Sequence, residues 1–158
     1  MSRKLRILIV EPSVIITTGL QHVLAESGRY DVHVCQADAE MLTSRLEQYK
    51  PDIAVVNPTI LSMVKRSSLR SLVPDGLHTS FVALVYQYVE PQVLKLFNGV
   101  LDIRESAPRI VDLMTEVNAA SVADEAETDN YELTERETAV LVLVAKGMMR
   151  SEERRVGK

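Results

Sequence analysis

The sequence predicts an α/β fold: a five-stranded, doubly wound parallel sheet followed by the start of a small all-α unit. Three observations predict it. Short runs of aliphatic, largely β-branched residues recur along the first two thirds of the chain, as in Leu5–Val10 and Ile53–Val56. Such continuous runs belong to strands buried on both faces, the condition of a parallel sheet. Amphipathic stretches separate them, as crossovers between parallel strands require. Beyond residue 121 the pattern changes to an acidic run and then to a capped amphipathic segment.

In chain order, Leu5–Val10 is the first strand. Ile16, Leu20, Val23 and Leu24 follow at helical spacing, and Gly28 marks the stop. Val32–Cys35 is the second strand, and Leu42, Leu46 and Tyr49 mark a helix that Lys50-Pro51 ends. Ile53–Val56 is the third strand, closed by Asn57-Pro58. Ser62–Leu72 is basic and less regular, and reads as a third helix. Phe81–Val85 is the fourth strand, and Pro91–Phe97 a short helix opened by proline. Gly99–Ile103 is the fifth strand, before the helical stripe of Ile110, Leu113, Met114 and Val117. Helices on both faces of a parallel sheet leave the carboxyl ends of the strands as the place for ligands and chemistry. That rule selects Glu11, Asn57, Val85–Tyr86 and Ile103. Residues 1–121 thus read as one domain. Residues 122–132 read as an exposed linker, since the run Ala123–Glu132 is acidic, aperiodic and free of large aliphatics.

A chain of 158 residues holds one full domain and part of another. Apolar residues make up 46% and aromatics only 4%, without Trp, so the core is built from Val, Leu and Ile. A net charge of -4 argues against an overall electrostatic grip on nucleic acid or anionic membrane, but leaves room for a local basic patch. Cys35 is the single cysteine, which excludes an intrachain disulfide and a multi-cysteine metal site. Its apolar neighbours suit a buried structural thiol. The opening MSRKLRILIV is too short an apolar run for a signal peptide and is broken at Glu11-Pro12. No stretch approaches the ~20 apolar residues of a membrane span. The expectation is a cytoplasmic protein.

The segment after the acidic run, LTERETAVLVLVAKG, opens with a capping box in Thr134 and Glu137. Glu135 and Glu137 suit the positive end of a helix dipole. Val140, Leu141 and Val144 form an apolar face, and Gly147 is a stop. With Leu133, Thr134, Arg136, Glu137, Val140, Leu141, Leu143, Ala145 and Gly147 in register, the segment resembles the first half of the helix-turn-helix of LuxR/NarL-type transcription regulators. The resemblance implies DNA as a partner of the intact protein.

Residues 4–120 in turn resemble the flavodoxin-like receiver domain of bacterial response regulators. Arg6–Leu24 (RILIVEPSVIITTGLQHVL) aligns without gaps on the family's first strand and helix. Lys50-Pro51-Asp52-Ile53 matches the lead into its third strand, and Gly99-Val100-Leu101 its fifth. A receiver transfers a phosphoryl group to an aspartate, assisted by Mg²⁺ held by two acids. A hydroxyl after the fourth strand and a lysine after the fifth hold the phosphoryl group. By that resemblance, the acceptor position is Asn57, whose amide cannot form an acyl phosphate. The paired acids are Glu11 and Pro12, leaving one carboxylate. The hydroxyl position is Val85, or Tyr86 if the register slips by one. The lysine position is Ile103, with Arg104 one residue on. The implied state is a pseudo-receiver with its fold kept and its phosphorylation lost. Glu11 is left as a weak cation ligand or, the preferred reading, as a partly exposed acid at a strand end.

Other constellations carry less. His22, His33 and His78 lie on different elements without metal-ligand spacing. The basic run Lys65–Arg70 reads as a solvated helix face, and there is no glycine-rich phosphate loop. No catalytic residues, metal or cofactor are called for. Receivers of this family pair through a face that spans residues 91–117 here. Its Lys95, Asp102, Arg104, Glu105, Arg109 and Asp112 suit either a self-complementary homodimer contact or a solvated surface. After Met148-Met149 the LuxR-type pattern lapses. In RSEERRVGK, Glu153 and Arg154 stand where apolar residues pack. Residues 133–149 therefore read as the scaffold part of a helix-turn-helix without its recognition helix, and 150–158 as a non-native tail. The expectation is a non-enzymatic, two-component-type transcription regulator controlled by dimerisation or a partner protein. A standalone receiver-like adaptor and a small flavodoxin-like cofactor binder are the alternatives. The missing phosphate loop and the aliphatic strand ends count against the second.

Overall fold

The computed structural model of the chain describes residues 3–35, 41–63 and 69–132. Five parallel strands, β1 (Leu5–Val10), β2 (Tyr30–Cys35), β3 (Ile53–Val56), β4 (Ser80–Val85) and β5 (Gly99–Asp102), form one sheet in the order β2-β1-β3-β4-β5. The helices are α1 (Val14–Glu26), α2 (Leu42–Tyr49), α3 (Pro91–Leu94) and α4 (Ala107–Glu132). This is the doubly wound, flavodoxin-like order, whose winding reverses between β1 and β3. Residues Met1–Ala119 form one compact unit and Ala120–Lys158 a second.

Strand pleating sorts the central residues onto two faces. Ile7, Ile9 and Val55 join Leu20 and Leu24 of α1 and Met114 and Val117 of α4 in one core cluster. Leu8, Val10, Ala54 and Val56 join Leu42 and Leu46 of α2 in the other. Every residue of β3 is buried, as its uninterrupted Ile-Ala-Val-Val run requires. Cys35 is buried, which pushes its thiol above the usual range.

Local chemistry sets the element ends. Ser13 caps α1, its Oγ accepting from the Ile16 amide. Lys50 ends α2 in the left-handed region at φ 48°, its amide donating to the Leu46 carbonyl. Asp52 clasps the amino ends of β1 and β3: one carboxylate oxygen accepts from the Arg6 amide at 2.8 Å and the other from Arg3 at 2.6 Å. Tyr30 ties β2 to α4 by donating to the Val111 carbonyl at 2.7 Å.

Two elements differ from expectation. The third connection contains 3₁₀ turns at Pro58–Met63 and Leu69–Leu72 where a helix over 62–72 was expected. Leu61 and Leu69 are buried there, and Ile60 and Leu72 pack partly against the same core cluster. At the other end, α4 continues through Glu132, so the run read as an exposed linker is helical. From Ile110 onward it contains neither Gly nor Pro, and Ala119, Ala120, Ala123 and Ala126 are the best helix formers. An acidic run without large aliphatics is still compatible with a helix, and Val122 just before it is exposed. Among the described residues no helix is long and apolar enough to cross a membrane.

Candidate functional site

The carboxyl ends of β1, β3 and β4 meet at the winding reversal, and three polar side chains converge there. Glu11 follows β1, Asn57 follows β3 and Tyr86 follows β4. Glu11 is 1% exposed and Asn57 2%, whereas Tyr86 is 38% exposed and forms the solvent side of the group. A buried carboxylate at a strand end needs donors, and this one has them. The Asn57 Nδ2 donates to Glu11 Oε1 at 2.8 Å, the Tyr86 hydroxyl to the same oxygen at 2.6 Å. The Ser13 amide donates to Oε2 at 3.4 Å.

Asn57 is the hub. Its Oδ1 accepts from the Thr59 amide at 3.0 Å and the Thr59 hydroxyl at 2.8 Å. An amide N–H can only donate, so Thr59 fixes Oδ1 toward itself and turns Nδ2 toward Glu11. The second Nδ2 hydrogen reaches the Tyr86 oxygen at 2.9 Å. Tyr86 therefore accepts from Asn57 while donating to Glu11, closing a three-membered ring of hydrogen bonds. The Glu11 carboxylate beside the phenol raises the Tyr86 pKa, first because the hydrogen bond favours the protonated phenol and then through burial.

The other positions singled out from sequence lie apart from this ring. Pro12 is exposed and carries no amide proton. Of the two register positions left open, Tyr86 rather than Val85 brings its side chain into the cluster. Val85 is half-buried at the end of β4, paired with Asp102 of β5. Ile103 is exposed just beyond β5, and its amide donates to the Val85 carbonyl. Arg104 turns back onto Asp102 at 2.6 Å, and that contact lowers the Asp102 pKa to about 2. The reading of Glu11 as a partly exposed acid is corrected: Asn57 and Tyr86 cover it, and their donors offset the cost of its burial. Leu133, Thr134, Arg136, Glu137, Val140, Leu141 and Gly147, together with the tail 150–158, lie outside the described residues.

Thr59 and Ser13 were missed as members of this site. The signal for Thr59 was local: Asn-Pro-Thr is an Asx-turn sequence, in which the Asn side chain accepts from the amide two residues on. Ser13 gave no comparable signal beyond its place as a helix cap. Among the described residues no group of three or more His, Cys, Asp or Glu side chains is placed to hold a metal ion. The cluster presents Nδ2–H and O–H donors to its one carboxylate, so it offers hydrogen-bond donors where a cation needs oxygen ligands.

No protein-family model matches the chain, and no curated protein sequence matches it. Solved structures do. The signal receiver domain of the response regulator NarL from Mycobacterium tuberculosis is similar with a TM-score of 0.59 and 16% identity, covering 75% of this chain and 98% of that one. The signal receiver domain of a modulated diguanylate cyclase from Desulfovibrio desulfuricans G20 is similar at 0.62 and 17%, covering 77% and 99%. A DNA-binding response regulator of the LuxR family from Staphylococcus aureus is similar at 0.56 and 11%, covering 72% and 98%. At these identities the likeness establishes the fold: residues of the first unit adopt the flavodoxin-like receiver fold.

Proposed function

We propose that the chain is a response-regulator-like transcription regulator whose receiver-like domain works without phosphoryl transfer. The single observation that carries this reading is the state of Asn57. It follows β3, where the receiver pattern has its acceptor aspartate, and its amide is engaged on both sides. An amide is too weak a nucleophile to form an acyl phosphate. The succinimide route of deamidation to aspartate is also closed. That route begins with attack by the next residue's backbone nitrogen, and Pro58 has no N–H.

The surroundings support the same reading. Glu11 alone remains of the two acids, with Pro12 beside it, and it already accepts from Asn57, Tyr86 and Ser13. Val85 supplies no hydroxyl, that of Tyr86 is engaged by Asn57 and Glu11, and Ile103 supplies no cation. Regulation then falls to association. Homodimerisation through residues 91–117 is supported by Val100 and Ile103, which are 45% and 42% exposed on that face. Its charges add less, because Asp102 pairs with Arg104 and Arg109 with Glu116 within the chain.

DNA as partner rests on the LuxR/NarL-type match of residues 133–147 and on the similar fold of a LuxR-family regulator described as DNA-binding. A receiver-like adaptor is the second reading, favoured by the similar receiver domain of a diguanylate cyclase, where the fold serves another output. Pull-down of genomic fragments by the full-length gene product separates them. Selective retention supports the regulator, and no retention above bulk DNA supports the adaptor. Incubation with acetyl phosphate and Mg²⁺, followed by intact mass measurement, tests the carrying claim. No adduct is expected, and stoichiometric aspartyl phosphate overturns it.

A further inference from the structure

The segment between β4 and β5 has few anchors. Tyr86, Gln87, Tyr88 and Glu90 are exposed, and α3 is a single turn in which Val93 is the buried residue. Leu96 and Phe97 pack only partly against the core, and Asn98 is fastened to Phe81 through backbone and side chain. At the other end stands the Tyr86 hydroxyl, between a buried amide and a buried carboxylate at 2.9 and 2.6 Å. Hydrogen bonds to charged groups are about twice as strong as neutral ones. Here one of them joins an exposed loop to the buried pair of Glu11 and Asn57.

We propose that Tyr86 is a latch that shuts the Glu11–Asn57 pair from water and thereby holds the segment from Tyr86 to Asn98 in one conformation. The phenol is suited to this. It satisfies the second Nδ2 hydrogen of Asn57 and the carboxylate of Glu11 with one oxygen, so no ligand is needed to complete the site. Opening the loop would leave both buried groups short of a partner until water entered. The latch stands on this geometry alone. Its consequence, that the 91–117 face is presented without any input signal, rests on the receiver-like reading.

Hydrogen–deuterium exchange on the full chain tests the latch. In Tyr86→Phe the amides of Val93 to Phe97 should exchange about tenfold faster, while those of β1 and β2 keep their wild-type rates. Tyr88→Phe, on the same loop but 81% exposed, should change none of them. Unchanged rates at 93–97 in Tyr86→Phe overturn the proposal, and so does a uniform acceleration across the chain. If Tyr86→Phe does not fold, Glu11→Gln carries the test, because it keeps an acceptor for the phenol but removes its charge. It too must accelerate 93–97 selectively. Phosphorylation plays no part in this readout, so the latch and the proposed function fail separately.

Discussion

The carboxyl rim of the sheet contains two polar regions built on different principles. At its centre Glu11, Asn57 and Tyr86 share hydrogen bonds in a buried ring, where each group is needed by the next. At the β5 edge Asp102 and Arg104 make an equally short contact, 2.6 Å, in solvent, with Arg104 86% exposed. Distance alone would rank them together. Burial separates them: losing a partner at the centre strands a desolvated group, whereas at the edge water replaces it. The β5 region is held instead by packing, since Gly99 lies under Val117 of α4 with no room for a side chain.

The strongest way to break this contrast is Asn57→Asp. It replaces the donor facing Glu11 with a second carboxylate, and should cost about 2–4 kcal/mol of stability in urea unfolding. Mg²⁺ should recover part of that loss in the variant and none in the wild type. Next comes Gly99→Ala. Its Cβ would stand 2.8 Å from Val117 Cγ2, and the β-branched side chain on a packed helix has little room to yield. A loss of about 1–3 kcal/mol is expected from such overpacking. In a double-mutant cycle with Val117→Ala, the double variant should lose less than the sum of the singles.

Tyr86→Phe should cost about 1–2 kcal/mol, less than the Asn57 change because Tyr86 borders solvent and water can enter. The smallest effect belongs to the edge. Arg104→Ala should lower the unfolding midpoint at neutral pH only slightly, and the Asp102 pKa, read by NMR titration, should rise from about 2 by a correspondingly small step, because the backbone amide of residue 104 still donates to the carboxylate. A depressed carboxylate pKa stabilises the fold above its unfolded value and loses that contribution as pH falls through the folded value. Whatever Asp102 contributes is therefore present near neutrality and fades between about pH 4 and pH 2. A large stability loss in Arg104→Ala would erase the distinction between the regions.

The sheet was legible because buried parallel strands leave a strong trace. Leu5–Val10 and Ile53–Val56 are apolar without interruption, and the helices between them repeat at turn spacing. Less was legible where packing rather than periodicity decides. The 3₁₀ turns at Pro58–Met63 and Leu69–Leu72 were not legible, because that basic, irregular stretch carries no clear period. The long α4 was hidden because its second half has helix propensity without an apolar stripe. At the site, position along the strands was enough to select Glu11 and Asn57. Their burial was not, because it depends on Tyr86, a residue 29 positions from Asn57 whose reach is set by the β4 register. Val85 sits at the strand end, but only the longer side chain one residue later spans to the pair.

On the proposed reading, internal hydrogen bonds fill the place where a receiver of this fold would hold a cation and a phosphoryl group. Thermal melting of the full chain with and without Mg²⁺ and beryllofluoride, a mimic of phosphoryl-aspartate, tests it most directly. A ligand that binds only the folded state must raise the melting temperature. Coincident melting curves are predicted, and a rise of several degrees in the wild-type chain would mean that the place still binds both.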